Sequence, residues 1–345
     1  MRERLLKYAP WIGYPLLFIV CLLVFAAITF PYDKLKDRVV ASFNAQQRET
    51  NGKQELQIDE MHGYWLSGVK VSGARLTTVS TDPDKPPARL VIDEATVRYG
   101  IWSSLVGNTD MTFDVYAFGG EASGTYEVKG KGDKIVDVTL DGVDLSEMDP
   151  VTQLLDGTPI HGKLSGTVRL TMPEGKASKG SGSVSLDIKD VAVGDAKKKV
   201  MGLPPLSVGL LSIAADAKDG VLKLTKLSAG GKDLELQGDG RIVMRELATD
   251  SLCEAQIRVK ISDAYKNKDD MTKSVFVGNG PLPPLVDATP AVSRAKRPDG
   301  FFVWNVRGPL GHPDFQPAGG AGLGASMPAA MPSMPGGFAS PKVTP

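Results

Sequence analysis

Residues 11–30 read WIGYPLLFIVCLLVFAAITF, twenty residues without a charge. No other segment restricts the folding options of this chain so strongly. A helix rises about 1.5 Å per residue, so twenty such residues span roughly 30 Å, the thickness of a bilayer's hydrocarbon core. A cleaved signal peptide has an apolar region of about 7–15 residues closed by a small-x-small site. Here the run is longer, and cleavage after Ala27 would put Phe25 at the third position before the cut. The span therefore reads as an uncleaved anchor, carried by Trp11, Leu16, Phe18, Leu22, Phe25 and Phe30. Basic residues near the two ends are balanced, with Arg2, Arg4 and Lys7 before the span and Lys34, Lys36 and Arg38 after it. Burden decides the orientation: a short cytoplasmic tail, residues 1–10, and an exported body form the simplest product. Trp11, Tyr14 and Tyr32 fall near the two interfaces, where amphipathic rings are favoured.

The exported part has to stabilise itself without a disulfide. Cys21 lies inside the span and Cys253 far away in the body, so the two cannot pair. Core burial or repetitive strand pairing must do the work instead. The 38 glycines and scarce aromatics favour an all-β chain with tight turns over a helical bundle. Lys plus Arg (40) balances Asp plus Glu (40), with no basic block, which argues against a nucleic-acid partner.

Hydropathy patterning then divides the chain. Residues 31–52 carry Leu35, Val39, Val40 and Phe43 at helical spacing behind a capping Asp33, a membrane-proximal helix and linker. From 53 to 315 the period changes to two, the signature of half-buried strands. Leu164, Val168, Leu170 and Met172 alternate with polar residues, as do Val184, Leu186 and Ile188, and Ala255, Ile257, Val259 and Ile261. Met111 to Ala117 and Phe302 to Val306 repeat the theme. Asp-Gly pairs at 141–142, 156–157, 219–220, 239–240 and 299–300, and Asn-Gly at 279–280, predict tight reversals. Helical interruptions are expected after Asp149 and over about 264–273. Residues 316–345 are rich in Pro, Gly, Ala and Met, a composition read as a disordered tail. The predicted fold class is thus mainly all-β with one N-terminal transmembrane helix. The expected body is an elongated, twisted, groove-like or partly open sheet with short helical insertions.

No constellation reads as an active site, metal site or cofactor site. His62, His161 and His312 share no ligand spacing, and Cys253 falls on the apolar face of its strand, where a small buried hydrophobe belongs. Asp137, Asp141, Asp144, Glu147 and Asp149 form an acidic cluster that helix capping and solvation explain. Gly180-Ser181-Gly182 leads into a strand and so lacks the helix N-terminus of a phosphate cradle. The Pro-Pro segments Leu203–Leu206 and Leu282–Leu285 read as rigid lead-ins to strands.

The segment LPPLSVGLLSIAADAKDGVLKLTKLSAGGKDLELQGDGRIVM, 203–244, resembles the repeat grammar of AsmA-like periplasmic proteins: strand, Asp-Gly turn, strand, glycine pair, strand. Residues 143–170 have a similar helix-then-strand form. FPYDKLKDRVVASFN and the terminal WNVRGPLGHPDF resemble the protein N family of the bacterial type II secretion system. The resemblance implies a single-pass inner-membrane anchor, a periplasmic AsmA-like body, other secretion components as partners and no catalytic role. It also leaves room for a lipid-handling protein that takes phospholipid on an apolar groove. Its lining would be Leu164, Val168, Leu170, Val184, Leu186, Ile188, Leu222, Leu224, Leu234, Leu236, Ile257, Val259 and Ile261. Alternation is the same for a sealed core and an open groove, so sequence leaves both standing.

Overall fold

A computed structural model describes residues 28–49, 54–65, 67–78, 87–100, 107–130, 132–149, 158–195, 202–278 and 282–318, with residue 103 and single positions between 14 and 25. The predicted interruption after Asp149 and the bulk of the predicted tail lie outside these residues, as do the reversals at 156–157 and 279–280. So does half of the predicted anchor, Trp11 and Leu16 included. Among the described residues no helix is long and apolar enough to cross a membrane.

Helix α1 (Tyr32–Glu49) comes first. Strands β1 (Gln54–Tyr64), β2 (Gly68–Thr78), β3 (Ala88–Tyr99), β4 (Thr109–Ala117), β5 (Gly120–Val128), β6 (Lys134–Asp144) and β7 (Ile160–Met172) follow. The second half adds β8 (Ser181–Val193), β9 (Leu206–Lys218), β10 (Val221–Gly230), β11 (Leu234–Val243) and β12 (Leu252–Ile261). Four short helices, α2 (Asp263–Lys266), α3 (Asp270–Phe276), α4 (Leu285–Ala288) and α5 (Pro290–Ala295), precede β13 (Phe302–Pro309) and β14 (Asp314–Pro317).

Among the described residues fourteen strands form one antiparallel sheet in strict sequence order, with β1 and β14 as its edges. Each strand pairs only with its chain neighbours, so the fold needs turns and alternation but no crossover. The mainly β class is therefore as the alternation predicts, and its strands fall on the expected segments. The Asp219-Gly220 pair makes the two-residue β9–β10 reversal with both φ angles positive, 49° and 78°. Asp299-Gly300 turns ahead of β13, where Gly300 N–H donates to Arg297 O at 3.0 Å.

Two expected reversals are corrected. Asp141-Gly142 sits inside β6 as a bulge, with the register shifting between Leu140 and Val143. Asp239-Gly240 continues straight through β11, where a Cβ on Gly240 would lie 2.6 Å from Ala255 Cα, so this glycine serves close strand approach. The Pro283-Pro284 segment introduces α4 and not a strand, whereas Pro204-Pro205 does lead into β9. Strand β14 runs to Pro317 and Ala318 is buried beside Phe301 and Val303, so ordered chain extends past 315.

The β1 edge is closed by α1. Asn44 behaves as a substitute strand: its Nδ2 donates to Leu56 O at 3.1 Å and its Oδ1 accepts from Leu56 N–H at 2.9 Å. Lys36 Nζ adds a bond to Asp59 O at 3.0 Å. Leu35, Val40 and Phe43 are half-buried as their spacing predicts, while Val39 is exposed.

Candidate functional site: one uninterrupted apolar face

Cross-strand partners in a sheet share a face, so the register shows what each face carries. One row crosses all fourteen strands: Gly63, Val69, Val97, Phe113, Gly124, Val138, Val168, Val184, Ala215, Leu224, Gly240, Ala255, Val306 and Phe315. It contains no polar side chain. A second row, from Met61 on β1 through Leu140, Leu186, Leu227 and Ile257 to Trp304 and Pro317, is equally apolar. From β5 to β14 the opposite face carries rows built mainly of polar residues, although at β1–β3 it holds Leu56, Leu76, Leu90, Ile58, Ala74 and Ile92. Thr125, Asp137, Arg169, Ser183, Asp216, Lys223, Arg241, Glu254, Arg307 and Asp314 form one of its rows. Arg169 pairs with Asp137 at 3.0 Å and Arg241 with Glu254 at 2.8 Å there, both in solvent.

All thirteen residues expected on an apolar surface lie on this one face. Leu234 alone among them is buried; the other twelve are half-buried. Ile188, Leu234, Leu236, Val259 and Ile261 join a compact cluster around Val191, Val208 and Ala229 at one end of the strands. Beside it, Tyr265 of α2 is 3% exposed and donates to Pro204 O at 2.6 Å. Burial, together with the charges of Asp233 and Asp269, pushes its phenol up to about 12. Among the described residues every strand belongs to this single sheet, so no second sheet packs on the remaining apolar residues.

Glycine keeps the rows uninterrupted by leaving room for large neighbours. A Cβ on Gly124 would fall 2.9 Å from the Phe113 ring, and one on Gly238 would fall 2.6 Å from a Leu227 methyl. These glycines also break the period-two signature in the sequence. Strands β2 to β6 also contribute to the face, beyond the thirteen expected residues: Gly124 interrupts the alternation of β5, while Met111 to Ala117 on β4 and Val136, Val138 and Leu140 on β6 alternate clearly.

The polar candidates are dispersed. Asp137 is paired with Arg169, Asp141 accepts from Ser165, and Asp144 caps a single helical turn by accepting from Ser146 N–H at 2.9 Å. The Ser146 hydroxyl, donating at 2.6 Å, and then the Ser146 N–H hold the Asp144 carboxyl below its ordinary range. Asp149 accepts from Arg89 N–H at 3.3 Å. Among the described residues no three His, Cys, Asp or Glu side chains gather closely enough to hold a metal ion. Cys253 is buried in line with Ile242 and Gly308, and burial raises its thiol, ahead of the nearby charge of Glu254. A hollow of about 490 Å³ exists, but Ser212, Ser228, Glu235 and Gln237 line much of it on the polar side.

No family model matches the chain, and neither a curated protein nor a solved structure is detectably similar to it. Function must therefore be argued from the face itself.

The N-terminal segment adds a second apolar surface. Tyr14, Leu17, Phe18, Leu22, Phe25 and Ile28 are helical and 54–79% exposed. Burying a large apolar side chain is worth about 2 kcal/mol, so this group is strongly driven toward an apolar medium.

Proposed function

We propose that the chain is a non-catalytic, inner-membrane-anchored periplasmic component of a type II protein secretion system. The observation that carries this reading is the layout: an exposed apolar N-terminal segment, a short amphipathic helix, then one open antiparallel sheet built in sequence order. That is the anchor-plus-AsmA-like body which the resemblances at Phe30–Asn44 and Trp304–Phe315 imply. The body serves as a scaffold whose polar face and far edge meet other components. Deleting the gene should reduce export of the system's substrates, and pull-downs from membranes should recover its components. Undiminished export, with none of those components recovered, would contradict the reading.

A second reading, favoured by the two unbroken apolar rows, is that the body handles lipid. On β7 and β8 the apolar side chains are half-buried although no second sheet among the described residues covers them, whereas Arg169, Ser183, Ser185 and Asp187 opposite are exposed. A sheet curled toward its apolar side, groove-like, produces this difference. Such a groove suits acyl chains chemically, because it offers apolar contact without demanding hydrogen bonds. Phospholipid should co-purify with the chain and be lost in Leu186→Asp or Leu236→Asp but not in Ser185→Asp, as read by lipid extraction and mass spectrometry. A lipid-free native protein would count against this reading.

A further inference from the structure

Trp65 occupies a position that nothing in the fold explains. It sits at the tip of the β1–β2 hairpin, 78% exposed, in the left-handed region with φ at 52°. A bulky residue there is an outlier, since glycine or asparagine would adopt the conformation at less cost. The side chain recovers nothing by packing, because it projects into the surroundings.

Its neighbours say what those surroundings are. Tyr32, two residues beyond the apolar N-terminal segment, lies directly over Gly63: a Cβ on that glycine would fall 2.5 Å from the Tyr32 hydroxyl oxygen. Phe30 packs on Tyr32 with ring centroids 4.9 Å apart and is itself 48% exposed. Two residues of strand separate Gly63 from Trp65, roughly 7 Å. The Arg98 guanidinium stands over the Tyr64 ring at 5.9 Å. The point where the apolar segment ends, the hairpin tip, three aromatic rings besides Trp65 and one cation thus gather at a single corner of the molecule.

We propose that this corner is a membrane-seating surface, in which Trp65 beds in the headgroup layer of the bilayer that holds the anchor. The assignment rests on the anchor reading of residues 11–30. Tryptophan and tyrosine are favoured in that layer because an apolar ring and a polar N–H or O–H are satisfied together, and Arg98 faces lipid phosphate there. The contact recovers the cost of the left-handed backbone. It also fixes β1, and with it Gly63 and Met61, where both apolar rows begin, at the bilayer surface.

The test uses the full chain reconstituted in phosphatidylethanolamine–phosphatidylglycerol vesicles, with and without brominated acyl chains. One variant, W11F/W102F/W304F, keeps Trp65 as the sole tryptophan; another, W65F/W102F/W304F, keeps Trp11. Brominated lipid should quench Trp65 emission by about twofold, as expected of an interfacial ring. Trp11 quenched with Trp65 unquenched overturns this inference and leaves the anchor intact. Neither quenched overturns the anchor reading and the seating with it.

Discussion

At the scale of single residues, the chain carries strain at Trp65 and a burial-dependent proton at Tyr265. Replacing Trp65 with glycine removes a left-handed conformation worth about 1–2 kcal/mol, offset by roughly 0.5–1 kcal/mol of extra unfolded-state entropy. Trp65→Gly should therefore raise the stability of the β body by about 0.5–1 kcal/mol in chemical denaturation while weakening its seating on vesicles; a loss of stability would show that the ring packs within the fold. Tyr265 has its folded-state pKa raised from 10.0 to about 12. The unfolded phenol ionises first, so the stability it contributes is complete below pH 10 and falls as pH rises from 10 toward 12. Tyr265→Phe should abolish that loss, at the expense of about 1 kcal/mol at neutral pH for the hydrogen bond to Pro204 O. Denaturation midpoints measured across the alkaline range check both parts. Glu174 shows how little an exposed shift implies. Lys176 and Lys179 hold its carboxyl down to about 2, yet the three side chains are half in solvent and the pairing adds little.

At the scale of elements, the sheet's two edges are treated differently. Helix α1 covers β1 through Asn44 and Lys36, which removes an unpaired edge that would otherwise invite another strand. Asn44→Ala should cost about 1–2 kcal/mol, for two lost hydrogen bonds at a half-buried site, and should promote self-association. Light scattering of the purified chain would detect the association; an unchanged monomer with unchanged stability would contradict the capping role. Elements of this kind were partly legible in the sequence. Leu35, Val40 and Phe43 announced the helix, and the alternation of β4, β7, β8, β12 and β13 announced the strands, because one apolar and one polar face impose period two. The bulge at Gly142 and the straight passage at Gly240 were not legible. Asp-Gly satisfies a turn, a bulge or a tight strand crossing equally well in local terms, and only the partner strand decides which. Asn44 was unreadable for a similar reason: its partner is the main chain of Leu56.

At the scale of the whole molecule, the fourteen described strands run in sequence order and carry two unbroken apolar rows on one side of one sheet, while at the β1–β3 end Leu56, Leu76 and Leu90 and Ile58, Ala74 and Ile92 fall on the other side. The thirteen residues expected on an apolar surface share the face of the two rows, and the register adds others from β2 to β6, β9, β13 and β14. What sequence could not supply was whether a second layer covers them, since alternation is the same in a sandwich and in a single sheet. The single sheet leaves these rows mostly half-buried along its fourteen strands, and a contiguous apolar surface that stays partly accessible is a candidate interaction site. The lipid-handling reading proposed for this surface has the most direct test, because it requires the apolar face to meet acyl chains. A photo-crosslinking residue placed at Leu186, on the apolar face, and at Ser185, its neighbour on the polar face, tests it in the full-length chain in cells. The account predicts phospholipid adducts at position 186 and none at 185. Equal labelling at the two positions, or adducts at 186 made only with protein, would contradict it.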